Sequence, residues 1–139
     1  MSEKLIQLKV ITPTRMFFEG EVKSFIVKTR GEVGEFAILA DHAPLTSSIG
    51  LGTLVLNFPD GSEKTTSLFG GYTVVRNNRA VIIAESAEWP EEIDSERAAR
   101  SKERAEERLK REEKIDVARA RASLARALVR LNLANRIKK

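Results

Sequence analysis

No Gly, Pro or aromatic residue follows Pro90. All 8 Gly, all 4 Pro, the six Phe, Tyr72 and Trp89 lie within residues 1–90, which leaves a final stretch free of helix breakers and of large rings that could anchor a core. That stretch suits continuous helix, whereas the turn-forming residues of the first 90 suit short strands. The chain therefore reads as two domains, residues 1–87 and residues 88–139. Charge divides along the same line. Residues 1–87 carry equal numbers of basic and acidic side chains, residues 88–116 carry 8 basic against 11 acidic, and residues 117–139 carry 7 basic and none acidic. A basic rod follows an acidic, mixed-charge one. The absence of Cys excludes a disulfide framework, a thiolate metal site and a cysteine nucleophile. No apolar run approaches the ~20 residues that span a bilayer, and Met1–Lys4 lacks the apolar core of a secretion signal. The expectation is a soluble protein made in the cytoplasm.

Period-two alternation marks the first strand. Ile6, Leu8 and Val10 fall on one face of Leu5–Ile11, with Gln7 and Lys9 on the other. Lys23–Thr29 sets Phe25 and Val27 against Ser24, Ile26 and Lys28. Further β-type runs occur at Phe36–Leu39, Thr53–Phe58, Lys64–Leu68, Tyr72–Arg76 and Ala80–Ala84. Phe58-Pro59-Asp60-Gly61-Ser62 and Arg76-Asn77-Asn78-Arg79 between them read as hairpin turns, since Gly and Asn tolerate positive φ. Gly70-Gly71 reads as a strand kink. The pattern predicts an antiparallel sandwich or barrel of about 85 residues.

The second domain contains an echo: Ile93-Asp94-x-x-Arg97-Ala98 recurs 22 residues on as Ile115-Asp116-x-x-Arg119-Ala120. Each Asp suits an N-cap, accepting the orphan amide protons of a first turn at the positive end of the helix dipole. Two helices are predicted, roughly Asp94–Glu112 and Asp116–Asn135, as an antiparallel hairpin. Its apolar seam reads as Ala98, Ala105 and Leu109 against Val117, Leu124, Leu128 and Leu131. Such a narrow seam offers only a few kcal/mol at ~25 cal/mol per Å².

Arginines are the sharpest chemical feature. Arg119, Arg126 and Arg130 project within ~40° of one another at 100° per residue, and Arg97 and Arg104 stand seven apart on the first helix. Solvated surface charge is the ordinary role for such residues, and Glu96 with Arg100 and Glu107 with Arg111 suit it as i, i+4 pairs. On the second helix no carboxylate follows Asp116, so its five arginines call for an external anion or an acidic surface. Phosphate-binding loops, dinucleotide fingerprints and metal-spaced His clusters are missing from the sequence. His42, the one histidine, has no nucleophile arranged beside it.

Gly34-Glu35-Phe36-Ala37-Ile38-Leu39-Ala40-Asp41-His42-Ala43-Pro44-Leu45, then Gly70-Gly71-Tyr72, Val81-Ile82-Ile83-Ala84-Glu85, Ile93-Asp94-x-x-Arg97-Ala98 and the Ala/Arg-rich hairpin resemble, in this order and spacing, the epsilon subunits of bacterial F-type ATP synthases. The resemblance implies a β-sandwich of about ten strands followed by a two-helix hairpin. It further implies a non-catalytic rotor component of a proton-translocating synthase. In this family the sandwich binds the gamma subunit and rests on the polar loops of the c-ring, peripheral to the cytoplasmic face of the membrane. Carried over by position, Glu35 and His42 fall in the loop of that rotor contact. The hairpin of the family alternates between a folded form and one extended into the alpha/beta catalytic hexamer that inhibits hydrolysis. In some members Ile/Leu-Asp-x-x-Arg-Ala binds ATP as a regulatory ligand; the matching positions are Glu88, Ile93, Asp94, Arg97 and Ala98, with Arg104, Arg119, Arg126 and Arg130 from the facing helices. An adaptor binding nucleic acid or another acidic partner through its basic helix is the alternative. The hairpin lacks the stacking aromatics expected of nucleic-acid binding and the aromatic face expected of a membrane-surface helix.

Overall fold

A computed structural model of the chain describes residues 4–30, 34–110 and 117–137. The backbone divides into two compact units, residues 1–87 and residues 88–139. The first holds eight strands: β1 (Ile6–Thr12), β2 (Arg15–Val22), β3 (Ser24–Arg30), β4 (Glu35–Leu39), β5 (Leu45–Ser48), β6 (Leu51–Asn57), β7 (Glu63–Arg76) and β8 (Arg79–Glu88). They pair in the order β2-β1-β8-β7-β6-β3-β4, with β5 added on β7. The sandwich is antiparallel except where β1 and β8 run parallel, Leu8 opposite Ala80 and Val10 opposite Ile82.

Eight strands, rather than about ten as the resemblance implies, form among the described residues: two of the seven runs read from the sequence are one strand, and two further strands join them. Lys64–Leu68 and Tyr72–Arg76 join through Gly70 and Gly71 into the 14-residue β7. Both glycines hold positive φ, 68° and 110°. The first half of β7 pairs with β6 and the second with β5, so this bend carries one strand between two sets of partners. A Cβ on Gly71 would lie 1.8 Å from the Ile83 carbonyl oxygen, which explains why only Gly serves there. Two strands were not expected from the sequence. The edge strand β2 has Glu19, Gly20 and Glu21 in its second half, and β5 is the short run Leu-Thr-Ser-Ser. Neither shows a sustained apolar alternation.

Alternation fills the core as expected. Ile6, Leu8 and Val10 of β1 face inward with Phe25, Val27, Phe69 and Ile82, all at 1% exposure or less. The Arg76–Arg79 connection is a tight hairpin with Asn77 and Asn78 at φ of 51° and 59°, and Gly61 takes φ of 87° in the other turn. There Asp60 accepts hydrogen bonds from the Ser62 amide (2.8 Å) and hydroxyl (2.5 Å).

The second unit consists of a 3-10 turn (Pro90–Glu92), α1 (Ser95–Lys110) and α2 (Val117–Ile137). Asp94 caps α1 as its position suggests: its carboxylate accepts the Arg97 amide at 3.0 Å and its carbonyl the Ala98 amide at 3.0 Å. The second expected cap, Ile115-Asp116, the helix end at Glu112 and the Glu107–Arg111 pair lie outside the described residues. Ile93, just before α1, packs on Leu133 and Ala134 with Val129, near the far end of α2, so the helices run antiparallel. Their seam is smaller than expected. Ala98 and Ala105 of α1 and Ala120, Ala127 and Ala134 of α2 are buried, at seven-residue spacing, whereas Leu124, Leu128 and Leu131 are half-buried. Alanine wins the central positions because a methyl lets two helix backbones approach closely, and the leucines then flank the seam. Among the described residues, an i, i+4 ion pair on α1 joins Lys102 to Glu106 (3.9 Å) rather than Glu96 to Arg100.

Candidate functional site

The antiparallel helices leave a cleft of about 350 Å³ beside the alanine seam, lined by Ser101, Arg104, Ala105 and Arg108 of α1 and Ser123, Arg126 and Arg130 of α2. This volume lies within the ~300–1,000 Å³ common for small-molecule sites. Its described lining is four guanidinium groups, two hydroxyls and a methyl. Arg104 donates to the Ser101 hydroxyl at 3.2 Å. Arg130 donates from Nε to Glu88 at 2.6 Å, a half-buried ion pair that ties α2 to the segment preceding α1. Converging guanidinium forks offer planar paired donors that match phosphate or carboxylate oxygens.

Of the residues singled out in the sequence, Arg104, Arg126 and Arg130 meet in this cleft. Arg97 and Arg119 are exposed and do not line it. Ile93 and Ala98 are buried packing positions, Asp94 is the cap of α1, and Glu88 is the partner of Arg130. Asp94 precedes Ser101 by seven residues, or ~10 Å of helix. The named set is thus spread along the hairpin, with the arginine cluster at its middle.

Arg108, Ser101 and Ser123 were not singled out, yet the sequence carries a signal for them. The 22-residue echo extends beyond six residues. Residues 93–109 and 115–131 share the pattern Ile-Asp-x-x-Arg-Ala-x-x-Ser-x-x-Arg-Ala-x-x-Arg-Leu. Ser101, Arg104 and Arg108 of one copy match Ser123, Arg126 and Arg130 of the other, and folding the copies antiparallel brings both sets to one cleft. The repeated Ala98, Ala105, Ala120 and Ala127 form the seam under it.

In the first unit, Glu35 opens β4 and His42 follows its end, so strand rather than loop separates them. Glu35 is exposed; His42 is half-buried, and its Nδ1 lies 2.6 Å from the Ala43 carbonyl oxygen, to which it must donate. Beside His42 sits a small polar cluster. Asp41, at φ of 65°, accepts from Lys4 (3.1 Å) and from the Asn78 amide group (3.1 Å), while its own backbone amide donates to Asn78 Oδ1 (2.6 Å). The Asn78 and Lys4 hydrogen bonds hold the Asp41 carboxyl below the usual carboxylate range. Among the described residues there is no cluster of three or more His, Cys, Asp or Glu that could hold a metal, and no helix is long and apolar enough to cross a membrane.

Comparison with known proteins accounts for both units. Residues 5–90 match the beta-sandwich domain of the ATP synthase delta/epsilon chain, and residues 91–135 match its long alpha-helix domain. The chain is 44% identical to the ATP synthase epsilon chain of Caldanaerobacter subterraneus subsp. tengcongensis, over 96% of each chain. It is 43% identical to that of Caldicellulosiruptor bescii, over 92% of each. A relative from Acetobacterium woodii, named as a sodium ion specific ATP synthase epsilon chain, is 44% identical over 74% of this chain and 76% of its own. The fold is shared with a chain in the Euglena gracilis mitochondrial ATP synthase, TM-score 0.82 at 21% identity, covering 94% of this chain and 81% of that one. With both domain types matched in order and identity above 40% across nearly the whole length, the chain belongs to the ATP synthase epsilon-chain family.

Proposed function

We propose that this chain is the non-catalytic central-stalk subunit of an F-type ATP synthase, anchored by its β-sandwich and regulated through an ATP-responsive helical hairpin. The observation that carries the reading is the division of labour between its two units. The sandwich has a large apolar core of its own. The hairpin is held by alanines and a few larger side chains, and it places four arginines around one cleft. A seam of methyl groups buries little area, so the hairpin opens at modest cost. A bound triphosphate would bridge arginines of both helices and favour the closed pair, by an amount set by its differential affinity for the two states. Opened, the same basic α2 would present its arginines to an acidic surface of the alpha/beta hexamer. The gamma subunit and the polar loops of the c-ring are the expected partners of the sandwich, at the cytoplasmic face of the membrane.

Reconstitution tests the reading. Removing residues 91–139 is expected to leave assembly with the rotor intact and to raise ATP hydrolysis by the complex; unchanged hydrolysis rejects the hairpin as a brake. Calorimetry on the full chain is expected to show one-site ATP binding, weakened about tenfold or more by Arg126→Ala, the loss of charge-assisted hydrogen bonds. Absence of heat at millimolar-scale ATP rejects ATP as the ligand. Arg126 is the cleaner probe than Asp94, because removing Asp94 also uncaps α1.

A further inference from the structure

We propose that Asp41 and Asn78 form a clamp that preorganises the β4–β5 connection, and with it His42, for docking on a partner of the sandwich. The docking role rests on the reading of the sandwich as the unit that seats on the rotor ring; the clamp itself rests on geometry. Residues 40–44 link β4, which pairs with β3, to β5, which pairs with β7. None of the five is buried, and the backbone hydrogen bond described within the connection runs from the His42 amide to the Leu39 carbonyl at 3.2 Å. Neither core packing nor a strand ladder therefore fixes its path. Asp41 and Asn78 supply what is missing by bonding twice in opposite senses. The Asp41 backbone amide donates to Asn78 Oδ1 at 2.6 Å, and Asn78 Nδ2 donates to Asp41 Oδ1 at 3.1 Å. Both residues hold left-handed φ, 65° and 59°, which Asp and Asn adopt more readily than most but which persists only where surrounding contacts over-determine it.

Asn78 is anchored in its turn. It sits in the two-residue connection between β7 and β8, and its carbonyl accepts the Gln7 amide of β1 at 2.9 Å. The clamp thus ties an exposed connection to the body of the sheet. Lys4 adds an exposed ion pair to Asp41 at 3.1 Å, which contributes little to holding the chain by itself. His42 comes next along the chain, its amide closing the turn onto Leu39 and its Nδ1 donating to the Ala43 carbonyl at 2.6 Å. In the neutral ring Nε2 is then an acceptor. Leu39, 59% exposed, and the exposed Pro44 flank it in sequence. An imidazole acceptor with exposed apolar neighbours suits a partner that offers a hydroxyl or amide donor beside a small apolar surface. Holding this connection in one arrangement before contact spares its ordering cost on binding.

Asn78→Gly provides the test. Asn followed by Gly is a favoured pair for a two-residue hairpin turn, so the substitution keeps the turn and the carbonyl that Gln7 uses while deleting both clamp bonds. In the full chain, NMR amide exchange at His42 is expected to quicken about tenfold or more, with the core amides of β1 and β6 unchanged. Imidazole 15N shifts should show the Nδ1-protonated tautomer losing population. Exchange at Asp41 is not diagnostic, since the variant removes its acceptor. Lys4→Ala, which removes the ion pair alone, should change His42 exchange by less than about twofold. Binding of the full chain to a purified rotor ring carrying the gamma subunit is expected to weaken about fivefold or more in Asn78→Gly and to stay within about twofold in Lys4→Ala. Unchanged His42 exchange in Asn78→Gly overturns the clamp. A loosened connection with unchanged docking overturns its docking role, and equal loosening by Lys4→Ala overturns the clamp in favour of the ion pair. Failure of the unaltered chain to dock overturns the rotor reading and the docking role together, and the exchange data, which need no partner, tell this apart from failure of the clamp.

Discussion

Gly71 shows how much of this fold hangs on single residues. Its φ of 110° and the 1.8 Å approach that a Cβ would make to the Ile83 carbonyl oxygen leave no room for any side chain at the bend of β7. Gly71→Ala is expected to destabilise the sandwich by more than about 2 kcal/mol, read from denaturant midpoints at constant slope. A shift below half that value would mean the bend relaxes without cost. Asp41 operates through charge. Its folded pKa is depressed by Asn78 and Lys4, so its stabilising contribution is complete above the ordinary carboxylate value of ~3.9 and is lost as pH falls through the folded value. Carboxyl NMR titration should place its midpoint below ~3.9, and Asp41→Asn should flatten the acid side of the stability profile. A midpoint at or above the ordinary value contradicts the cluster. Neither role was legible from the residue alone: Gly70-Gly71 signalled a kink, but the Ile83 carbonyl against it, like the Asn78 amide beside Asp41, comes from a distant part of the chain.

At the scale of elements, helices were easier to anticipate than strands. A run without Gly, Pro or aromatics, opened by a capping Asp, has few alternatives to helix. The start of α1 was foreseen within one residue, because capping is local chemistry. Strands β2 and β5 went unseen because edge position and few inward-facing side chains relieve them of the alternation that makes a strand recognisable. The hairpin seam was misjudged for a related reason. Leucines carry the stronger hydrophobic signal, but the alanines at 98, 105, 120, 127 and 134 decide how close the helices come. Replacing one of them by a larger residue should therefore harm the hairpin despite adding apolar area. Ala127→Leu is expected to cost about 1–3 kcal/mol through overpacking, seen as earlier loss of helical circular dichroism on heating. Unchanged or increased helix stability would mean the seam has slack.

For the whole molecule, two materials imply two stabilities. The first unit contains most of the buried large aromatic and branched side chains and should fold alone: residues 1–90 are expected to unfold in a single cooperative transition and to retain a β-sheet spectrum. A broad transition or an unfolded spectrum would show that the sandwich depends on the hairpin. Sequence by itself determined that a turn-rich β domain precedes a breaker-free helical one, where the boundary falls, and that the basic charge gathers in the last helix. These follow from local conformational preference and composition, which act without knowledge of distant neighbours. Tertiary structure alone decided that β1 runs parallel to β8, that β7 serves two sets of partners through one bend, and which arginines share a cleft. Arg97, Arg104 and Arg108 carry the same functional group on the same helix, but only Arg104 and Arg108 line the cleft, because the antiparallel register of α2 sets which turns face one another. That register comes from alanine packing between helices, and no spacing within a single helix contains it.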